Sequence, residues 1–352
     1  MEKAGEHGGD IYSYIELNGI EPLDYSANVN PLGMPIKAKE ALVESMDRYS
    51  FYPDINCTKL TDVVSKYENI RREYVLFGNG AADIIFRICY AINPKKALVL
   101  APTFSEYEQA LSNTECEIEF FELKPEDNFN LNLSILEHIT DCNIIFICNP
   151  NNPTGNLINK ELMYKIAKKC LMENCVLVID ECFMDFVKEK GDYSFINHLN
   201  EFDNVIILKA FTKIFAMAGL RLGYCLCNNR ELLSAIKKEG QPWSVSTPAQ
   251  VAGIGALSDL DYLIKTIELI DKEREFLTES LNELGFTVFK SYTNFILFKT
   301  QIKDLYSRLY KRGVLIRKCS NFNSLNDEYY RIAVKSREDN QKLINLMGEV
   351  AK

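Results

Sequence analysis

The 352-residue sequence predicts an α/β fold, in which a large domain with a mostly parallel sheet is joined to a smaller α+β domain. Three observations carry this expectation. From about Val75 to Leu226, short continuous runs rich in Val and Ile alternate with helical patterns, the texture of parallel strands covered on both faces. After about Ala249 that alternation gives way to a long charged helical stretch and shorter strand-like runs. The length exceeds that of one ordinary core and suggests about two domains.

The strand-like runs of the first part are residues 75–77, 97–101, 118–121, 143–148, 175–179 and 205–208. Between two of them, Leu162, Ile166 and Cys170 recur every four residues and mark one helix face. Strands alternating with helices imply a mostly parallel sheet. Tyr224-Cys225-Leu226-Cys227 reads as a further strand with both cysteines on one face. In the second part a charged helix runs through Glu268 to Leu284, and Gly285 suits its C-terminal cap. Strands are expected at 286–289, 295–298, 314–316 and 330–334. The expected domains are residues 44–249, and residues 1–43 together with 250–352.

Hydrophobic residues make up 47% of the chain and charged residues 25%, as in soluble globular proteins. The formal charge is −9, from 40 basic and 49 acidic residues. An acidic chain without a basic run is poorly suited to nucleic acid or an anionic membrane. A few arginines in a cleft can still bind a small anion. The eleven cysteines have no metal-ligand spacing, so no metal site is expected, and so many unpaired thiols suit a reducing compartment. The N-terminus has no apolar signal region and no apolar run approaches membrane length. A cytoplasmic protein is expected.

Ligands of open α/β sheets sit at the carboxyl ends of strands, and four polar features fall there. Gly78-Asn79-Gly80-Ala81-Ala82-Asp83 precedes a helix, whose free amides and dipole attract an anion; an ordinary strand-to-helix turn fits it equally well. In Cys148-Asn149-Pro150-Asn151-Asn152-Pro153-Thr154-Gly155, two prolines and a glycine fix an extended loop, as a structural turn or to aim an amide at a ligand. Val178-Ile179-Asp180-Glu181 ends an apolar strand with a carboxylate, as a helix cap or as the partner of a cationic ring nitrogen. Phe211-Thr212-Lys213 stands eight residues before Arg221, in an apolar, Gly-rich segment. A lysine desolvated near other cations becomes a nucleophilic amine.

In this order and spacing the four features resemble the fold-type I pyridoxal-5′-phosphate (PLP) aminotransferases, over essentially the whole chain. The resemblance implies an aspartate-aminotransferase-like fold. It makes Lys213 the lysine that carries the cofactor and Asp180 the partner of the pyridine nitrogen, the two catalytic residues. Asn152 would bond the phenolic oxygen, while Ala81, Ala82, Thr212 and Arg221 would hold the cofactor phosphate or its surroundings. Phe104, in Pro102-Thr103-Phe104, would stack on the ring. Tyr52, in Tyr52-Pro53-Asp54, would reach the cofactor phosphate of a neighbouring subunit, which implies a homodimer. Arg331 would grip the substrate carboxylate.

Two positions depart from the family pattern. Ala210 stands where many relatives have Ser or Thr, and Phe183 where many aminotransferases have Tyr. Two branches resemble the chain most, histidinol-phosphate aminotransferases and the L-threonine-O-3-phosphate decarboxylases of cobalamin synthesis, and both take a phosphorylated amino compound. Arg317 matches an arginine that binds the substrate phosphate. His7-Gly8-Gly9, the segment Asp24 to Pro35 and Pro242-Trp243-Ser244-Val245 favour the decarboxylases, with His7 as a lid residue and Asn30 and Gly33 lining the entrance. The expected reaction is decarboxylation of L-threonine O-3-phosphate. Transamination of the histidinol-phosphate type is the alternative. Retention of Lys213, Asp180, Asn152 and Arg221 argues against a catalytically silent binding protein.

Overall fold

A computed structural model describes residues 8–351. The strands, in chain order, are β1 (Leu23–Asp24), β2 (Val75–Gly78), β3 (Lys96–Ala101), β4 (Glu117–Glu122), β5 (Ile144–Cys148), β6 (Val176–Asp180), β7 (Val205–Ala210), β8 (Gly223–Leu226), β9 (Thr287–Val288), β10 (Phe295–Lys299), β11 (Val314–Leu315), β12 (Arg317–Lys318) and β13 (Tyr329–Ala333). The central sheet has the order β2-β8-β7-β6-β5-β3-β4. Only β8 runs antiparallel to its neighbours. The sequence-predicted strands fall on these elements to within a residue or two.

Both faces of the sheet are buried, which is why its strands are continuous apolar runs rather than alternating ones. Ile145, Ile147, Leu177, Ile179 and Ile207 face one core. Ile144, Phe146, Val178, Ile206 and Leu208 face the other, as do Cys225 and Cys227, so the two cysteines do share a face. The helix Lys160–Met172 covers the first with Met163, Ile166, Ala167 and Cys170, and Asn159 caps its start by accepting from the amides of Glu161 and Leu162. The helix Ala81–Ile92 covers the second with Ile84, Ile85, Ile88 and Cys89. No helix is long and apolar enough to cross a membrane among the described residues.

The C-terminal part is an antiparallel sheet of order β12-β13-β10-β9. It packs with the helices Leu260–Glu283 and Arg337–Ala351. Gly285 ends the first of these as expected, with a φ of 81°. The amide of Phe286 then reaches the Leu281 carbonyl at 3.1 Å. The N-terminal segment joins this part: β1 pairs in parallel with β11, and the Tyr25 hydroxyl donates to Asn340 Oδ1 at 2.8 Å. The helix Ile36–Glu44 packs on the helix Thr247–Leu257.

Candidate active site

The strands β2, β5, β6 and β7 all end on one edge of the central sheet, so the four polar features meet there. Register fixes the meeting point. Gly223 of β8 lies opposite both Gly78 of β2 and Ala210 of β7. A cavity of about 380 Å³ opens above, lined among others by Ala81, Ala82, Phe104, Asn152, Asp180, Thr212, Lys213, Arg221, Arg317 and Arg331. The central-sheet edge supplies the first eight and the C-terminal sheet the last two.

One end of the cavity is an anion cradle. The helix Ala81–Ile92 starts there with free amides, and Arg221 stands beside it in left-handed backbone geometry. Two glycines make the approach. A Cβ on Gly223 would lie 2.4 Å from the Ala81 nitrogen, and one on Gly80 would lie 2.8 Å from Arg221 Nη2. Amides at a helix N-terminus beside a guanidinium suit a phosphate.

The asparagine loop divides its work. The Asn149 amide donates to the Asp180 carbonyl at 2.9 Å, and Asn149 Oδ1 accepts from the Ile158 amide at 2.9 Å. Asn151 donates to the Pro102 carbonyl at 2.9 Å and accepts from Thr103 at 2.8 Å. These two shape the loop. Asn152 is the one that turns inward, and its Oδ1 accepts from Arg331 Nη1.

Asp180 is buried and held at both oxygens: Tyr107 donates to Oδ2 at 2.6 Å and the Cys182 amide to Oδ1 at 2.9 Å. Behind it, the buried Lys209 Nζ lies 3.5 Å from Glu181 and 3.8 Å from both Glu68 and Asp185. This network ties the end of β7 to the turn after β6, the two segments that present Lys213 and Asp180. Burial lowers the Lys213 pKa to about 8, helped by the positive charges of Arg331 and Arg221 and opposed by Cys182 and Asp180.

Arg317 and Arg331 are paired across β12 and β13. Both are buried, which lowers the pKa of each, that of Arg331 to about 10. Arg331 Nη2 donates to the Ser26 carbonyl at 3.0 Å, while its Nε is buried without a partner among the described residues. Arg317 Nη2 donates to Asn321 Oδ1 at 2.8 Å. Phe183 fills its side of the cavity edge-on to Phe295, with centroids 5.0 Å apart.

Two expected residues are placed elsewhere. Asn30 and Gly33 do not line the entrance. The Asn30 amide group donates to the Ile214 carbonyl and to Thr266, each at 2.8 Å, and its backbone amide donates to the Lys213 carbonyl at 3.1 Å. Asn30 therefore braces the lysine segment from behind. Gly33 offers its carbonyl to Tyr262 at 2.6 Å. Tyr52, expected at a neighbouring subunit's site rather than in this cavity, is 80% exposed and stacks on Trp243 with centroids 4.6 Å apart. His7 lies outside the described residues, but Gly8 lines the cavity, and a Cβ there would meet the Ser26 carbonyl at 2.1 Å. Sequence reasoning missed Tyr107, the Cys182 amide and the Ser26 carbonyl.

Comparison with known proteins accords with this geometry. The model of the family "Aminotransferase class I and II" matches residues 20–346. The threonine-phosphate decarboxylase of Salmonella typhimurium is 34% identical over 98% of this chain and 96% of its own length. The histidinol-phosphate aminotransferase of Methanosphaera stadtmanae is 31% identical over 99% of this chain and 94% of its own. Among solved structures, the histidinol-phosphate aminotransferase from Clostridium acetobutylicum has a TM-score of 0.88 and 33% identity, covering 94% of this chain and 99% of that one. That from Sinorhizobium meliloti, in complex with pyridoxal-5′-phosphate, has a TM-score of 0.89 and 19% identity, covering 98% and 95%, a likeness of fold.

Proposed function

Because the chain belongs to the aminotransferase class I and II family, we propose that it is a PLP-dependent decarboxylase of L-threonine O-3-phosphate, releasing an aminopropanol phosphate. The residues present suit the cofactor. The anion cradle at Ala81, Ala82 and Arg221 matches its phosphate, the fixed carboxylate of Asp180 its ring nitrogen, and the amine of Lys213 its aldehyde. Thr212, Phe104 and Asn152 complete the enclosure. When bound, pyridoxal phosphate supplies an electrophilic carbonyl and an electron-accepting ring to a substrate amine.

The observation that carries the choice of substrate is the pairing of Arg317 with Arg331 across β12 and β13. Two desolvated guanidinium groups on one side of a cavity call for a ligand with two anionic groups, and threonine phosphate has a carboxylate and a phosphate. In this reading Arg331 orients the carboxylate and Arg317 anchors the phosphate. Asp180 holds a proton at the ring nitrogen, and Lys213 delivers one to the substrate Cα after CO2 has left. Phe183, without a hydroxyl, keeps its side of the cavity dry. The decarboxylase and aminotransferase relatives keep open a second reading, transamination of the histidinol-phosphate type, because the same residues serve both outcomes. The branch would depend on how Arg331 and Arg317 orient the bonds to Cα once the cofactor is bound.

The test is a single turnover with threonine phosphate and no keto acid. Stoichiometric CO2 is expected. Conversion of the cofactor to its amine form with no CO2 would sink the decarboxylase reading and favour transamination. The substrate assignment has its own test. Arg317→Ala removes a charge-assisted bond worth about 1.5–3 kcal/mol. The substrate concentration for half-maximal rate is therefore expected to rise about tenfold or more, with cofactor retention unchanged. Loss of cofactor with an unchanged substrate requirement would reassign Arg317.

A further inference from the structure

We propose that Tyr107 is a positioning residue, whose hydroxyl fixes the plane of the Asp180 carboxylate and thereby sets how tightly the cofactor ring is held. The inference rests on the assignment of Asp180 to the ring nitrogen given above.

Tyr107 is fully buried near the start of the helix Glu106–Ser112. Its ring stacks on Phe146 of β5, with centroids 5.0 Å apart and an interplanar angle of 11°. Phe104, which lines the cavity, meets it edge-on at 5.7 Å. Packing thus leaves the ring little freedom, and the hydroxyl is delivered to Asp180 Oδ2 at 2.6 Å. The other oxygen, Oδ1, accepts from the Cys182 amide at 2.9 Å. Two donors from two separate segments, each on its own oxygen, define the carboxylate plane. Rotation about the Asp180 Cβ–Cγ bond would break both bonds. Burial pushes the Tyr107 phenol well above its ordinary pKa, and the neighbouring Asp180 charge adds to this, so the hydroxyl stays protonated and donates. A phenylalanine would fill the same volume against Phe146. What the hydroxyl adds is a charge-assisted bond to a carboxylate that must stay ionised and correctly aimed.

A double-mutant cycle on cofactor affinity separates positioning from packing. The dissociation constant of pyridoxal phosphate is measured by equilibrium dialysis on the full chain freed of cofactor. Tyr107→Phe is expected to weaken binding by about tenfold when Asp180 is present, and by less than about twofold in the Asp180→Ala background. Equal losses in the two backgrounds, as pure packing would give, would overturn the proposal, and so would no loss in either. Phe146→Leu is the second variant. It removes stacking surface while keeping the hydroxyl and its acceptor, and less than about a twofold change supports the proposal. A loss there as large as that of Tyr107→Phe would overturn it. Asp180→Ala that binds cofactor as tightly as the parent protein would remove the Asp180 assignment and this inference together.

Discussion

Lys213→Ala is expected to lower turnover by about 10⁴-fold while the protein still folds and still binds pyridoxal phosphate noncovalently. In the proposed mechanism the residue removed is both the attachment point and the proton carrier nearest the reacting carbon. The cradle formed by Ala81, Ala82 and Arg221, together with Asp180, remains to hold the cofactor. Folding should survive because the Lys213 amine faces the cavity, whereas its backbone carbonyl, which accepts from Asn30, is unchanged. Substantial turnover without an added amine would refute the assignment. The lowered pKa gives a second readout. At pH 8 an ordinary lysine is less than about 1% neutral, whereas an amine with a pKa of about 8 is about half neutral. In the cofactor-free parent protein, covalent capture of the cofactor aldehyde, trapped with borohydride, should therefore rise with pH and level off above about pH 8. In Lys213→Ala this limb should vanish.

Asp180→Ala should cost about 10³-fold in turnover, the upper range for removing one preorganised electrostatic group. Asp180 is buried and its two oxygens are fixed by donors, so in the proposed role it would need no reorganisation when charge develops on the ring. The alanine variant should remain folded, because Tyr107 and the Cys182 amide lose one acceptor each but the packing of Phe146 and Phe104 around them persists. Steady-state kinetics with a matched melting curve tests this. A variant that retains more than about a tenth of parental turnover would show that the carboxylate caps the turn and does nothing to the ring.

Much of this was legible in the sequence because burial on both faces leaves continuous apolar runs, and because ligand groups of such sheets follow strand ends. The six runs from 75 to 208 and the four polar features after them required only local patterns. What stayed hidden was long-range. Tyr107 is indistinguishable in sequence from a core aromatic, since its acceptor lies 73 residues away. The reach of Asn30 is of the same kind. The resemblance to the decarboxylases placed Asn30 at the entrance, but its side chain bonds Ile214 and Thr266, 184 and 236 residues further on. The glycines were more legible, because Gly80 and Gly223 stand where a Cβ would fill the cradle.

The bond from Arg331 to the Ser26 carbonyl joins groups 305 residues apart. On a ribosome adding about 5–20 residues per second, the segment that closes the substrate end of the cavity is made roughly 15–60 s before its arginine exists. Within that interval the central sheet can form from β2 to β8, while Tyr25, Ser26 and Asn28 still lack their partners at Asn340, Arg331 and Asn294. The nascent chain therefore completes its scaffold early and its selectivity last. Premature termination between β8 and β13 would release a polypeptide that carries Lys213 and Asp180 but lacks Arg331.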